Sequence, residues 1–178
     1  MAGMARRAVL PMLALPVLAA CGFHPVYGPA ASGGDSPAAA ALAKIQVGLI
    51  PDRSGQILRL ALQERFERAG MAEAHQYDLS VSFAVASSAL AIEPDSVATW
   101  IRLVGTANYR LTSQDPSRAT LTSGVARSVD GYNLFDQQYF AQDMENDAVE
   151  KRIALALADQ IALQLASYFA KQAAGPKG

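Results

Sequence analysis

The side chains that titrate near neutral pH or bind soft metals most strongly are few: one cysteine, Cys21, and two histidines, His24 and His75. His24 lies three residues beyond Cys21, and His75 precedes a stretch with strand periodicity. Neither has a nucleophile or a second ligand at a workable spacing, whereas a zinc site needs several His, Cys or carboxylate groups converging on one ion. Glu93 and Asp95 flank Pro94 and could hold a proton between them, but a solvated turn offers neither the burial nor the fixed separation that a catalytic carboxylate pair needs. Gly34-Asp35-Ser36 superficially resembles the nucleophile block of one hydrolase family, yet it sits among Gly, Pro, Ala and Ser rather than on a strand-to-helix turn. Neither standard glycine-rich phosphate loop occurs. The chain is therefore not read as an enzyme, and no metal is expected.

Cys21 has another chemistry open to it. Arg6 and Arg7 precede an apolar run from Ala8 to Ala20, too short to span a bilayer, which is the form of a secretion signal. The run ends Leu18-Ala19-Ala20-Cys21: a branched apolar residue, two small ones, then the thiol. A lipoprotein peptidase needs small side chains before the cut, and the thiol after it takes diacylglycerol through a thioether. No second cysteine exists for a disulfide, which argues against an ordinary signal peptide followed by a buried cysteine. Residues 1–20 are expected to be removed, with diacylglycerol and an N-acyl chain on Cys21 as the only attached groups and no other cofactor. Each buried methylene contributes about 0.8 kcal/mol, and two acylations make the tether stable. Gly22 stands where an Asp would signal retention at the inner membrane, so the expected address is the periplasmic face of the outer membrane.

The positioning elements come next. With 178 residues, 51% hydrophobic and 17% charged, one globular domain is expected. Removing Arg6 and Arg7 from 15 basic against 16 acidic residues moves the formal charge from −1 to −3, so nucleic acid is not an expected partner. Residues 21–43 are expected to be a lipidated flexible tether, because 28–41 is nearly all Gly, Pro, Ala and Ser. Residues 44–173 form the predicted domain and 174–178 a disordered tail. Ile45, Val47 and Leu49 alternate as a first strand, and Ser54 is placed to cap a helix running to about Ala69, with a stop at Gly70. That helix presents Ile57 or Leu58, Ala61 or Leu62, then Phe66 and Ala69 to the core, and pairs Glu64 with Arg68 on its wet side.

Three longer strands follow by period two. Their expected core residues are Leu79, Val81, Phe83 and Val85; then Ile101, Leu103, Ala107, Tyr109 and Leu111; then Leu121, Val125 and Val129. Residues 132–146 mix aromatics with amides and acids and show no clear period. From Asp147 to about Gln172 a helix carries Val149, Ile153, Leu157, Ile161, Leu165 and Phe169 at four-residue spacing, with Gln164 on the solvent side. Leu155, Ala158, Ala162 and Ala166 widen its apolar surface beyond the roughly 100° stripe that one sheet face requires. The order β-α-β-β-β-α predicts an α+β fold: a two-layer sandwich with two helices on one face of a four-stranded, mostly antiparallel sheet.

Three blocks then carry a resemblance: Cys21-Gly22-Phe23-His24-Pro25-Val26-Tyr27-Gly28, Ile50-Pro51-Asp52-Arg53-Ser54-Gly55-Gln56-Ile57-Leu58-Arg59, and Tyr139-Phe140-Ala141 before the Ala-rich final helix. In this order, and over nearly the whole chain, they resemble the LptE family of lipopolysaccharide-assembly lipoproteins in its alphaproteobacterial form. The resemblance implies the same helices-on-sheet sandwich. It also implies a plug inside the β-barrel of the translocon LptD, forming a heterodimer with it, assisting its assembly and helping deliver lipopolysaccharide to the outer leaflet. Family members are credited with binding lipopolysaccharide through basic side chains, but no local motif matches those positions here, so Cys21 alone carries over. The alternative is a lipoprotein partner of another envelope lipid-transport system, distinguished by whether a large β-barrel binds stably.

Strand parity nominates the contacts. Arg102 and Arg110 share the parity opposite the core, and Arg118 follows the turn Ser113-Gln114-Asp115-Pro116-Ser117. Arginine grips phosphate bidentately, so these three are the expected lipopolysaccharide contacts. Arg127 has core parity and is left out, unless a strand bulge moves it outward.

Overall fold

The period-two stretches fold as three long strands, β2 (Tyr77–Ala91), β3 (Thr99–Ser113) and β4 (Thr120–Leu134), paired as an antiparallel meander. A short strand, β1 (Ile45–Val47), adds parallel to β2 and completes a sheet of order β1-β2-β3-β4. Parallel neighbours need a crossover, and it is α2 (Arg53–Arg68). With α3 (Tyr139–Ala173) it covers one sheet face, giving the expected α+β sandwich. The computed structural model describes residues 36–69, 74–91, 99–134 and 139–175, within one compact unit, Gly34–Gly178. Cys21, His24, Gly70, Glu93 and Asp95 lie outside the described residues.

The folded unit begins before Lys44, because part of the expected tether is a helix, α1 (Pro37–Ala43). Ser36 caps it, accepting the Ala39 N–H at 3.1 Å, and Pro37 stands at the first position, where no amide hydrogen is needed. Ala38 and Leu42 are buried, and α1 touches both α2 and α3. An alanine-rich run looks like a linker by composition, yet alanine is the best helix former, and one leucine suffices to seat this helix.

Two further expectations change at the β1–α2 junction. Strand periodicity ends at Val47, so Leu49 is 77% exposed while Ile50 is fully buried. The α2 cap is Asp52, at φ +66° and with no side-chain cap bond, and Ser54 lies inside the first turn. The Gln56 side chain instead donates to the Ile50 carbonyl, and a Cβ on Gly55 would press on Ile50 at 2.8 Å. The rest of α2 follows the predicted face: Leu58, Ala61, Leu62 and Phe66 are buried, and Arg68 meets Glu64 at 2.5 Å.

The α3 helix starts at Tyr139, so of the stretch without a period residues 132–134 end β4 and 139–146 form the first turns of this helix, while 135–138 lie outside the described residues. Val149, Ile153, Leu157, Ile161, Leu165 and Phe169 are all buried, as the spacing predicts. Ala154, Ala158, Ala162 and Ala166 are buried too, and α3 packs on α1 and α2 as well as on β3 and β4, which accounts for its wide apolar surface. Arg65 ties the helices together, with Nε on Asp159 at 2.6 Å and the guanidinium tips on the carbonyls of Ala61 (2.9 Å) and Leu155 (3.2 Å). Gln164 is not an idle solvent residue: it accepts the Tyr109 hydroxyl at 2.7 Å. Burial raises the Tyr109 pKa, and the phenol stays protonated as this donor.

Candidate functional site

The helices cover one face of the sheet, and among the described residues no element packs on the other. On β2 and β3 the predicted parity holds, with Leu79, Val81, Leu103, Ala107, Tyr109 and Leu111 buried beneath the helices. On β4 it inverts. Leu111 pairs with Thr122 but Thr112 with Thr120, so Leu121 is an extra residue and everything beyond it changes face. Val125 and Val129, expected in the core, are 57% and 55% exposed, while Ala126 is buried. Bulk explains the choice: a Cβ at Gly124 would lie 2.6 Å from the Tyr109 hydroxyl oxygen, so the covered face of β4 admits only small residues here.

The same bulge brings Arg127 out. It pairs with Thr106, between the pairs Arg102–Gly131 and Arg110–Ser123, so the three arginines lie on one face at four-residue steps. Each step is about 14 Å of strand. All three are exposed, and among the described residues none of them makes an ion pair. Between them the face is lined by small or hydroxyl-bearing residues, including Ser80, Ser82, Ala84 and Thr106. A shallow depression of about 720 Å³ lies over Ser80, Ser82, Asn108, Arg110 and Ser123, with exposed Leu49 and Val125 contributing apolar surface at either side. Towards the other end lie Leu90 and Trp100, the only tryptophan, whose ring covers Gly131.

Arg118 stands apart. Its guanidinium bonds Asp78 at 2.7 Å, and Asp78 also accepts from Gln114 at 2.8 Å, so Arg118 closes the hairpin end rather than offering a free charge. Among the described strand residues Asp78 is the one carboxylate on the open face; Asp130 lies on the covered side, where the hydrogen bond from Arg152 holds it below the usual carboxylate range. The face thus carries uncompensated positive charge beside apolar and hydroxyl groups, which suits an anionic amphiphile. His75 is exposed, and among the described residues no three His, Cys, Asp or Glu side chains converge as a metal site.

A family model described as LptE, lipopolysaccharide-assembly, matches residues 42–165, which runs from α1 into the last turns of α3. The chain belongs to the LptE family. Solved structures share this LptE fold at low identity. A lipoprotein from Caulobacter crescentus CB15 is 22% identical, with a TM-score of 0.59, covering 78% of this chain and 97% of its own. The minor lipoprotein of Acinetobacter baumannii is 14% identical at a TM-score of 0.56, covering 70% and 92%. The rare lipoprotein B of Shewanella oneidensis is 16% identical at 0.51, covering 69% and 93%. Comparison with curated proteins gave no match. Membership of the LptE family associates the chain with lipopolysaccharide assembly and with envelope lipoproteins.

Proposed function

We propose that this LptE-family chain is an outer-membrane lipoprotein, anchored through acyl chains on Cys21, that acts as plug and assembly partner of the LptD β-barrel and contacts lipopolysaccharide through its open sheet face. The observation that carries the contact is the row Arg102, Arg127, Arg110, outside every ion pair among the described residues, on a face whose one described strand carboxylate, Asp78, is taken up by Arg118. Phosphate accepts paired hydrogen bonds from a guanidinium, while Val125, Val129 and Leu49 offer apolar surface for acyl chains.

Replacing Arg110 and Arg127 by Ser should weaken binding of purified lipopolysaccharide at low salt by roughly tenfold or more, since a charge-assisted hydrogen bond contributes about 1.5–3 kcal/mol. The thermal midpoint should stay near wild type, because both side chains are exposed and outside the ion pairs described. Arg118→Ser should change binding little and lower stability by about 0–1 kcal/mol, the range of an exposed ion pair, because Asp78 keeps its bond from Gln114. A double variant that binds as tightly as the parent eliminates the arginine row.

The anchor is tested separately. Cys21→Ser should accumulate as uncut precursor, because a hydroxyl does not replace the thiolate in diacylglyceryl transfer. Mass spectrometry of the wild-type protein should show diacylglyceryl and N-acyl groups on a chain beginning at Cys21; a mature chain without them contradicts the anchor.

A further inference from the structure

Among the described residues no strand pairs with the outer side of β4, and exposed edges of this length recruit other strands. Here α3 meets the backbone groups instead. The Gln160 side chain donates to the Arg127 carbonyl at 3.1 Å and accepts the Arg127 N–H at 3.2 Å, the two bonds a residue of a fifth strand would make. Gln164 reaches the Val125 carbonyl at 3.4 Å. Asp130 accepts the Gly131 N–H at 2.7 Å and is itself held by Arg152 at 2.6 Å.

The spacing keeps helix and edge in step. From Arg152 to Gln164 is about 18 Å of helix, and from Asp130 back to Val125 is about 17 Å of strand. The two run in opposite directions, so successive α3 side chains meet successive edge groups. A second β4 is the strand this edge best fits. Antiparallel pairing about Arg127 sets Val125 of one copy beside Val129 of the other, joining apolar residues that are exposed in the single chain. Arg127 would then face its own copy, and the like charges add a second obstacle.

We infer that Gln160, supported by Gln164 and the Asp130–Arg152 pair, acts as a surrogate fifth strand that closes the β4 edge and prevents a second copy of this chain from pairing with it. The test uses Gln160→Ala, which removes both bonds to Arg127 at an alanine-tolerant helical site, and Gln160→Ala with Arg127→Thr, which also removes the charge. In the mature lipidated chain in mild detergent, diluted until it is monomeric, hydrogen exchange at the Arg127 amide should accelerate at least tenfold in the first variant. Sedimentation should show a concentration-dependent dimer, stronger in the double variant, with the wild type monomeric. If the double variant sediments as a monomer at every concentration, the inference fails whether or not the amide exchanges faster. Dimerisation of the wild type to the same extent overturns it equally.

Discussion

Leu157→Ala should lower the unfolding free energy by about 2–5 kcal/mol, the cost of deleting a fully buried leucine from a site that relaxes only in part. Leu157 is wholly buried on the α3 stripe, against the sheet, where its Cδ1 lies 3.3 Å from where a Cβ on Gly105 would stand. Urea denaturation measures the loss, and two comparators fix the face. Leu163→Ala, at a residue 52% exposed, should stay within about 0.5 kcal/mol. Gln164→Ala should cost about 1–3 kcal/mol, because the Tyr109 hydroxyl loses its acceptor. Equal, small losses at Leu157 and Leu163 would contradict the assigned packing.

Gly105→Val should be at least as damaging. A Cβ at Gly105 would stand 2.2 Å from Ile153 Cγ2, with Leu157 Cδ1 at 3.3 Å and Phe83 Cε2 at 3.4 Å closing the remaining space. Ile153 is fully buried and cannot swing clear, so α3 must lift from β3. Overpacking of a filled core costs about 1–3 kcal/mol for modest additions, and valine adds three carbons where one already overlaps. Expression mainly as aggregate, or a midpoint lowered by about 10 °C or more, is expected. Even if the valine variant does not fold, Gly105→Ala and Ile153→Ala with their double variant give the same information. The double variant should be more stable than the sum of the single losses predicts, because Ile153→Ala removes the atom that the new methyl meets. Strict additivity would place the contact elsewhere.

Elements with one uninterrupted period were legible in the sequence. Leu79 and Val81, the odd-numbered core of β3 and the four-residue stripe of α3 lie where their spacing puts them, because burial against a layer enforces period two or period four. Legibility failed where something other than hydrophobicity decided the face. On β4 two valines point outward and Gly124 and Ala126 inward, because the bulge at Leu121 and the bulk of Tyr109 override the apolar pattern. That single residue moved Arg127 into the candidate site, and only cross-strand register could reveal it. The pairing of Arg118 with Asp78 is equally invisible along the chain, since forty residues separate them. At α1 the low-complexity composition concealed a helix whose signals, Ser36 followed by Pro37, were present but sat before an alanine run with one leucine.

Copurification tests the central proposal most directly. Mature chain carrying an affinity tag, extracted with mild detergent from outer membranes, should bring down one large β-barrel protein in near one-to-one amount, identifiable as LptD by mass spectrometry, with lipopolysaccharide in the eluate. An abundant, lipidated chain that elutes with no barrel, or with the components of a different lipid-transport system, would contradict it.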